Sequence, residues 1–329
     1  MKFVLDAEQR MFGEALHKLL AEAGTPAVVR AWAAGSPAPG RALWRSLADA
    51  GVFALAVPES AGGVGPLPVE LVTAFHEIGR HAAPGPIVET VAAATLLGRL
   101  GDEAPAATWL PGIAAGEAVV SLALPPAVPY ALDADVADVV LAVDGEEVRG
   151  AAAGPVRASL DPARRLFPVV PGAVLAAGPA VRAAALEAYD MGVLVCAAQL
   201  VGVGRRLLEV TVEYAVTRRQ FGRPIGEFQA VRHHLANVLV GLEYARPLVH
   251  GAALAAGSPE FARDVSAAKV AAGEAAYAAA RVALQVHGAI GYTDEYDPSL
   301  WIRKARALYT AWGSPAEHRA RVMAALARG

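Results

Sequence analysis

Two long stretches with apolar residues at helical spacing flank a short stretch patterned for strands. This alternation constrains the fold more than any single motif. Phe12, Leu16, Leu19 and Leu20 form a helical stripe within residues 6–35. Asp6 is placed to cap that helix, with Gln9 three residues on in capping-box position. Leu43 and Leu47 predict a further helix that stops at Ala50-Gly51. Residues 68–82 and 86–100 predict two more, separated by Pro84-Gly85-Pro86. The run Val57–Pro66 must be a loop. It lacks the Lys-Ser/Thr ending of a phosphate-binding loop and reads as a turn.

After Gly116 the period changes. Val119–Leu124 predicts a strand ended by Pro125-Pro126. Val139–Val143, Asp144-Gly145 and Val148–Gly150 predict a hairpin with a tight turn. Phe167–Val170 predicts a short strand. Together these make a β domain of about 60 residues. From about residue 178 the helical period returns. Leu200, Val203, Leu207, Val210 and Tyr214 share one face. Val231, Leu235, Val238, Leu242 and Ala245 follow alternating steps of four and three, the seam of an antiparallel bundle. Ser266–Leu284 is an Ala-rich helix, and a last helix spans roughly Ala316–Leu326. The expected fold is mainly α with a small β domain, divided into 1–115 (helical), 116–177 (β) and 178–329 (four-helix bundle).

The 329 residues suffice for two or three domains. Hydrophobic residues make up 55%, yet no run reaches about 18 consecutive apolar residues, so no membrane span is expected. A net charge of −3 gives no reason to expect nucleic acid as a partner. Cys196 is the sole cysteine, which excludes an internal disulfide and a multi-Cys metal site. The start, Met1–Glu8, soon turns charged and shows no signal peptide, so a cytoplasmic protein is expected. His233 and His234 are adjacent on one helix and point to different faces. Neither they nor His287 and His318 find a third ligand at suitable spacing, and no metal is expected.

Two segments carry chemistry. In Tyr214–Gln229, Arg218 and Arg219 lie beside Gln220, Phe221 and Gly222 where a helix ends. Guanidinium groups suit phosphate oxygens, and Phe221 offers a stacking face. Taken alone, the segment also reads as a charged helix end with one core phenylalanine. In Gln285–Tyr292, small residues after a helix let backbone approach a ligand. Taken alone, this also reads as a glycine cap.

Together the two segments resemble the acyl-CoA dehydrogenase family, which carries R-x-x-F-G, a following Gln, and Q-x-x-G-G-x-G-[FY] at similar separation. Val57-Pro58-Glu59 with Gly62-Gly63 resembles the family's P-E-x-x-G-G loop. Glu77-Ile78-Gly79-Arg80 resembles its E-[IL]-G-R helix. Ile113–Glu117 resembles the entry to its middle domain, and Arg303-Lys304-Ala305-Arg306 its R-D-A-[RK] segment. The resemblance covers nearly the whole chain. It implies an acyl-CoA substrate and FAD lying between subunits. Arg218 would bind the pyrophosphate, with Arg219 and Gln220 beside it. Phe221 would pack near the adenosine. Gln229 and Gln285 would hydrogen-bond the cofactor, and Gly288 and Ala289 would let backbone approach it. Ala289 replaces a family glycine.

The family's reaction needs a base to take the α proton, and that base is a glutamate. Trp312 stands in its usual place, and an indole cannot accept a proton. The alternative position, early in the first bundle helix, falls near Gly192-Val193. Asp190 and Glu187 are the nearby candidates for a relocated base, although each also reads as a helix-surface carboxylate. The family's T-E-P-x-x-G-S-D-like flavin loop is replaced by Leu122–Ala127, and the β domain is several dozen residues shorter. In these departures the chain resembles the shorter, catalytically incomplete subunit of actinobacterial heteromeric (α2β2) steroid-CoA dehydrogenases. That resemblance implies a longer acyl-CoA dehydrogenase-like partner with an intact glutamate, and FAD shared across the interface. Two alternatives stay open: a self-sufficient homomeric dehydrogenase, or a non-enzymatic acyl-CoA-binding subunit.

Overall fold

A computed structural model describes residues 4–100 and 104–327. Met1, Lys2 and Phe3, part of the segment read for a leader, lie outside the described residues. Helix α1 (Ala7–Glu22) begins at Asp6, whose side chain accepts from Gln9 N–H while the Gln9 side chain bonds back, completing the capping box. Helices α2 (Thr25–Ala33), α3 (Ala38–Asp49), α4 (Pro68–Arg80), α5 (Ile87–Leu100) and α6 (Ala104–Ala114) follow. Gly51 turns the chain after α3 with φ 81°.

Strands β1 (Val120–Ala123), β2 (Tyr130–Leu132), β3 (Val139–Asp144), β4 (Glu147–Ala153) and β5 (Leu166–Ala177) form one sheet in the order β1-β3-β4-β5-β2. Only β1 and β3 run parallel. The expected hairpin is β3–β4, turned at Gly145 with φ 63°. The short strand expected at Phe167–Val170 is instead the twelve-residue β5. Pro168, Pro171 and Gly172 hide it from pattern reading. The ladder to β4 shifts register beyond Pro171 and Gly172, while Pro168 lies opposite Tyr130 of β2.

Helix α7 (Pro179–Thr217) leads into a two-residue-stranded hairpin, β6 (Arg219–Gln220) and β7 (Arg223–Pro224). Helices α8 (Gln229–Leu254), α9 (Phe261–His287), α10 (Pro298–Thr310) and α11 (Pro315–Leu326) complete the chain. Among the described helices α7 alone is long and apolar enough to cross a membrane, but 89% of that apolar window is buried inside the protein. It is the central core helix, touching α4, α5, α8, α9 and α10.

Two glycines explain how α4 comes so near α7. A Cβ on Gly79 would lie 2.0 Å from the Gln199 carbonyl oxygen, and one on Gly202 would lie 1.9 Å from that of His76. Only hydrogen at these positions permits the backbone contact. The glycine inside Glu77-Ile78-Gly79-Arg80 thus serves helix packing.

Candidate functional site

The two segments singled out in the sequence meet in space. Tyr214, near the end of α7, packs against His287, at the end of α9, with ring centroids 4.4 Å apart. Between α7 and α8 the hairpin turns at Phe221 and Gly222, both at positive φ (52° and 80°), as a two-residue turn of this hand requires. Ile225 N–H donates to the Arg218 carbonyl at 2.8 Å and closes the hairpin base. Arg223 stacks on the Phe228 ring at 4.3 Å. Phe221 is 91% exposed, so it is not a core phenylalanine. Arg218, Arg219, Gln220, Gln229, Gln285, Gly288 and Ala289 are exposed as well. No carboxylate among the described residues pairs with Arg218 or Arg219, and Gly288 has open space around its α-carbon at φ 64°. Arg219 Nη2 donates to the Gly222 carbonyl at 3.4 Å. Guanidinium groups without an ion-pair partner, an outward aromatic ring and bare backbone suit a pyrophosphate joined to a planar group.

A second site lies between the sheet, α5 and α10. It is a cavity of about 450 Å³ lined in part by Glu89, Tyr130, Arg164, Arg306 and Trp312. The indole of Trp312 covers Gly192 on α7: a Cβ there would lie 2.2 Å from the ring. The two positions at which the resemblance places a base therefore converge on one spot, filled by indole. Trp312 itself sits at φ 57°, unusual for a side chain of this size, and is held there by its carbonyl. That oxygen accepts from Tyr189 Oη at 3.2 Å and from His318 Nε2 at 2.8 Å.

Sequence reasoning missed Glu89. It is 2% exposed, and Trp312 Nε1 donates to its Oε1 at 3.3 Å. Its Oε2 has no partner. Burial pushes this carboxyl up, against the pull of the nearby Arg164 guanidinium. The signal was faint, the one charged residue in the stretch Ile87–Leu97.

The two relocated-base candidates are engaged elsewhere. Asp190 is buried, not on the surface, and takes a 2.6 Å hydrogen bond from Arg321. Burial raises its pKa and Arg321 opposes the rise. Glu187 pairs with Arg99. Neither lines the cavity.

Histidines cluster where the sequence scan for metal ligands did not look. His17 Nδ1 lies 2.9 Å from His81 Nε2 and 3.2 Å from Glu77 Oε2, beside another cavity of about 460 Å³. Arg80 Nη1 stands 3.3 Å from the same His17 nitrogen. A guanidinium already occupies the approach a cation would need, so the cluster works as a hydrogen-bond network joining α1 to α4. His81 is pushed down to about 4, first by burial and then by His17.

Comparison with known proteins agrees with this architecture. Residues 6–117 match the model of the acyl-CoA dehydrogenase N-terminal domain, and residues 182–327 that of the C-terminal domain. The chain is 35% identical over 322 residues to the acyl-CoA dehydrogenase IpdE2 of Mycobacterium tuberculosis, covering 94% of each chain. It is 31% identical to the IpdE2 of Mycolicibacterium smegmatis, covering 97% of this chain and 99% of that one. Among solved structures, a chain of the ChsE4–ChsE5 complex from Mycobacterium tuberculosis superposes with a TM-score of 0.82 at 24% identity, with full coverage of both chains.

Proposed function

The chain belongs to the acyl-CoA dehydrogenase family, and we propose that it is the catalytically incomplete member of a heteromeric enzyme whose longer subunit carries the catalytic glutamate. FAD, the family's cofactor, would supply a hydride acceptor for the acyl thioester when bound. In this proposal the present chain supplies cofactor contacts across the subunit interface. Arg218 would donate to the pyrophosphate oxygens, with Arg219 and Gln220 beside it. Phe221 packs near the adenosine, and Gln229 and Gln285 hydrogen-bond the cofactor. Gly288 and Ala289 let backbone come close.

One observation carries the proposal. The flavin-facing segment is turned wholly outward, with Phe221 held at positive φ and 91% exposed. The ring meets Phe228 edge-on, with centroids 6.1 Å apart, but leaves nearly all of its apolar surface open for a partner. The closure of both base positions by Trp312 on Gly192 supports the same reading. So does the apolar outer face of α8, where Leu239, Val240, Tyr244 and Leu248 are exposed. A heterotetramer of α2β2 type fits these surfaces. The ChsE4–ChsE5 structure is a complex of two unlike chains, and another structural neighbour, the Tcur3481–Tcur3483 steroid ACAD variant, superposes with a TM-score of 0.84. The second favours a steroid-derived acyl-CoA as substrate. The homomeric alternative loses its motivation, because Asp190 and Glu187 are paired with arginines outside the cavity.

Flavin content tests the proposal. Co-expression with a longer family member bearing the glutamate is expected to give yellow protein with a single FAD for each pair of unlike chains. The chain alone is expected to be colourless and inactive. Full flavin loading and acyl-CoA turnover by the lone chain would overturn it.

A further inference from the structure

The cavity beside Trp312 holds a cation without a counterion. Arg164 is 9% exposed and lines the cavity. Its backbone is fixed by a 2.9 Å bond from its N–H to the Asp161 carbonyl. The carboxylates around it are already engaged. Asp161 pairs with Lys304 at 2.8 Å, and Asp133 with Arg165 at 3.3 Å. Among the described residues no carboxylate stands within salt-bridge distance of the Arg164 guanidinium, and none of its N–H groups finds an acceptor. Holding a largely buried guanidinium without an anion is costly, and its nitrogens stay open to the cavity.

Glu89 does not fill that role. It makes no salt bridge with Arg164: its Oε1 accepts from the Trp312 indole at 3.3 Å, and its Oε2 is sealed from solvent without a partner. The cavity therefore offers the Arg164 guanidinium as its buried donor. Leu132, Leu160 and Leu166 form its apolar wall. Tyr130, Leu160 and Arg306 are exposed at its rim.

We infer that this cavity binds a carboxylate carried on an apolar skeleton, with Arg164 receiving the anion. No bond is made or broken there. The inference deepens the proposed function by giving this chain's own pocket a ligand class. Its test reads binding at Arg164 and not flavin loading, so either can fail while the other stands.

Decalin-2-carboxylate and its neutral carboxamide, titrated calorimetrically into the purified protein, alone or with its partner, separate charge from shape. The carboxylate is expected to bind about tenfold more tightly, the worth of a charge-assisted hydrogen bond. Arg164→Met is expected to erase the preference, and Arg164→Lys, the safer variant for folding, to reduce it. Glu89→Gln is expected to retain it. Equal binding of the two compounds, or an undiminished preference in both Arg164 variants, overturns the inference. So does inorganic phosphate binding with Arg164 dependence where neither decalin compound binds, since the ligand would then be a phosphate.

Discussion

The indole of Trp312 lies directly on the α-carbon of Gly192, leaving 2.2 Å where a Cβ would be. Each residue is tolerable only because of the other. Any side chain at 192 displaces the ring, and the ring seals a helix surface that glycine leaves bare. Replacing Gly192 with Ala is expected to destabilise the chain by about 1–3 kcal/mol through overpacking. Trp312→Ala is expected to cost about 3–5 kcal/mol through the cavity it leaves. The double variant should cost less than the sum. Urea unfolding of the three proteins measures the coupling, and strict additivity would show that the two residues do not press on each other.

Arg218→Ala and Arg219→Ala touch exposed groups without an ion-pair partner. Neither is expected to change the unfolding free energy by more than about 0.5 kcal/mol. Both are expected to weaken FAD retention by the assembly, each by about tenfold. Flavin released on dilution, followed by fluorescence, reads the effect. Unchanged retention in the two variants would detach this segment from the cofactor.

Lys304 and Asp161 form a buried pair at 2.8 Å, both almost without solvent contact. Lys304→Met is expected to cost about 3–5 kcal/mol, because a carboxylate is left buried alone. Adding Asp161→Asn should recover much of the loss. Thermal unfolding of the single and double variants checks this, and a double variant as unstable as Lys304→Met would contradict it.

His318 makes folding pH-dependent. It is fully buried, its Nε2 bonds the Trp312 carbonyl at 2.8 Å, and its Nδ1 has no partner. Burial pushes it down to about 4, from 6.5 in the unfolded chain. The unfolded state therefore takes up a proton that the native state refuses. The stability from the neutral ring is whole above pH 6.5 and declines as pH falls toward 4, by at most about 1.4 kcal/mol per pH unit. Asp133, pushed up to about 7 by burial, works in the opposite sense over that window. The clean measurement is a difference. His318→Gln should lose less stability between pH 7 and pH 5 than the parent does, and equal losses would show that His318 does not titrate on unfolding.

Much of the local structure is legible along the chain. The capping box at Asp6 and Gln9, the stop at Gly51 and the Gly145 turn each depend on neighbours within a few residues. Periodicity finds the long helices for the same reason. It misses the length of β5, because two prolines and a glycine break the pattern while the β4 ladder, distant in sequence, sustains the strand. It also misses α10, where Arg303, Lys304 and Arg306 interrupt the apolar stripe. There burial is decided by partners, since Lys304 turns inward only because Asp161 is there to meet it.

The candidate site divides in the same way. Residue type at a given place in the chain carries the family resemblance, the arginine–phenylalanine segment at Arg218–Phe221 and the tryptophan at 312 where the family's glutamate is expected. That Phe221 faces solvent, that Gly192 and Trp312 are one site, that Asp190 faces Arg321, and that Glu89 and Arg164 share a cavity are set by the packing of the folded chain. Those relationships join α5, α7, α11, the turn after α10 and the β domain across many tens of residues of chain. No spacing rule reaches that far, because the packing of helices against the sheet sets which side chains meet and which are left without a partner.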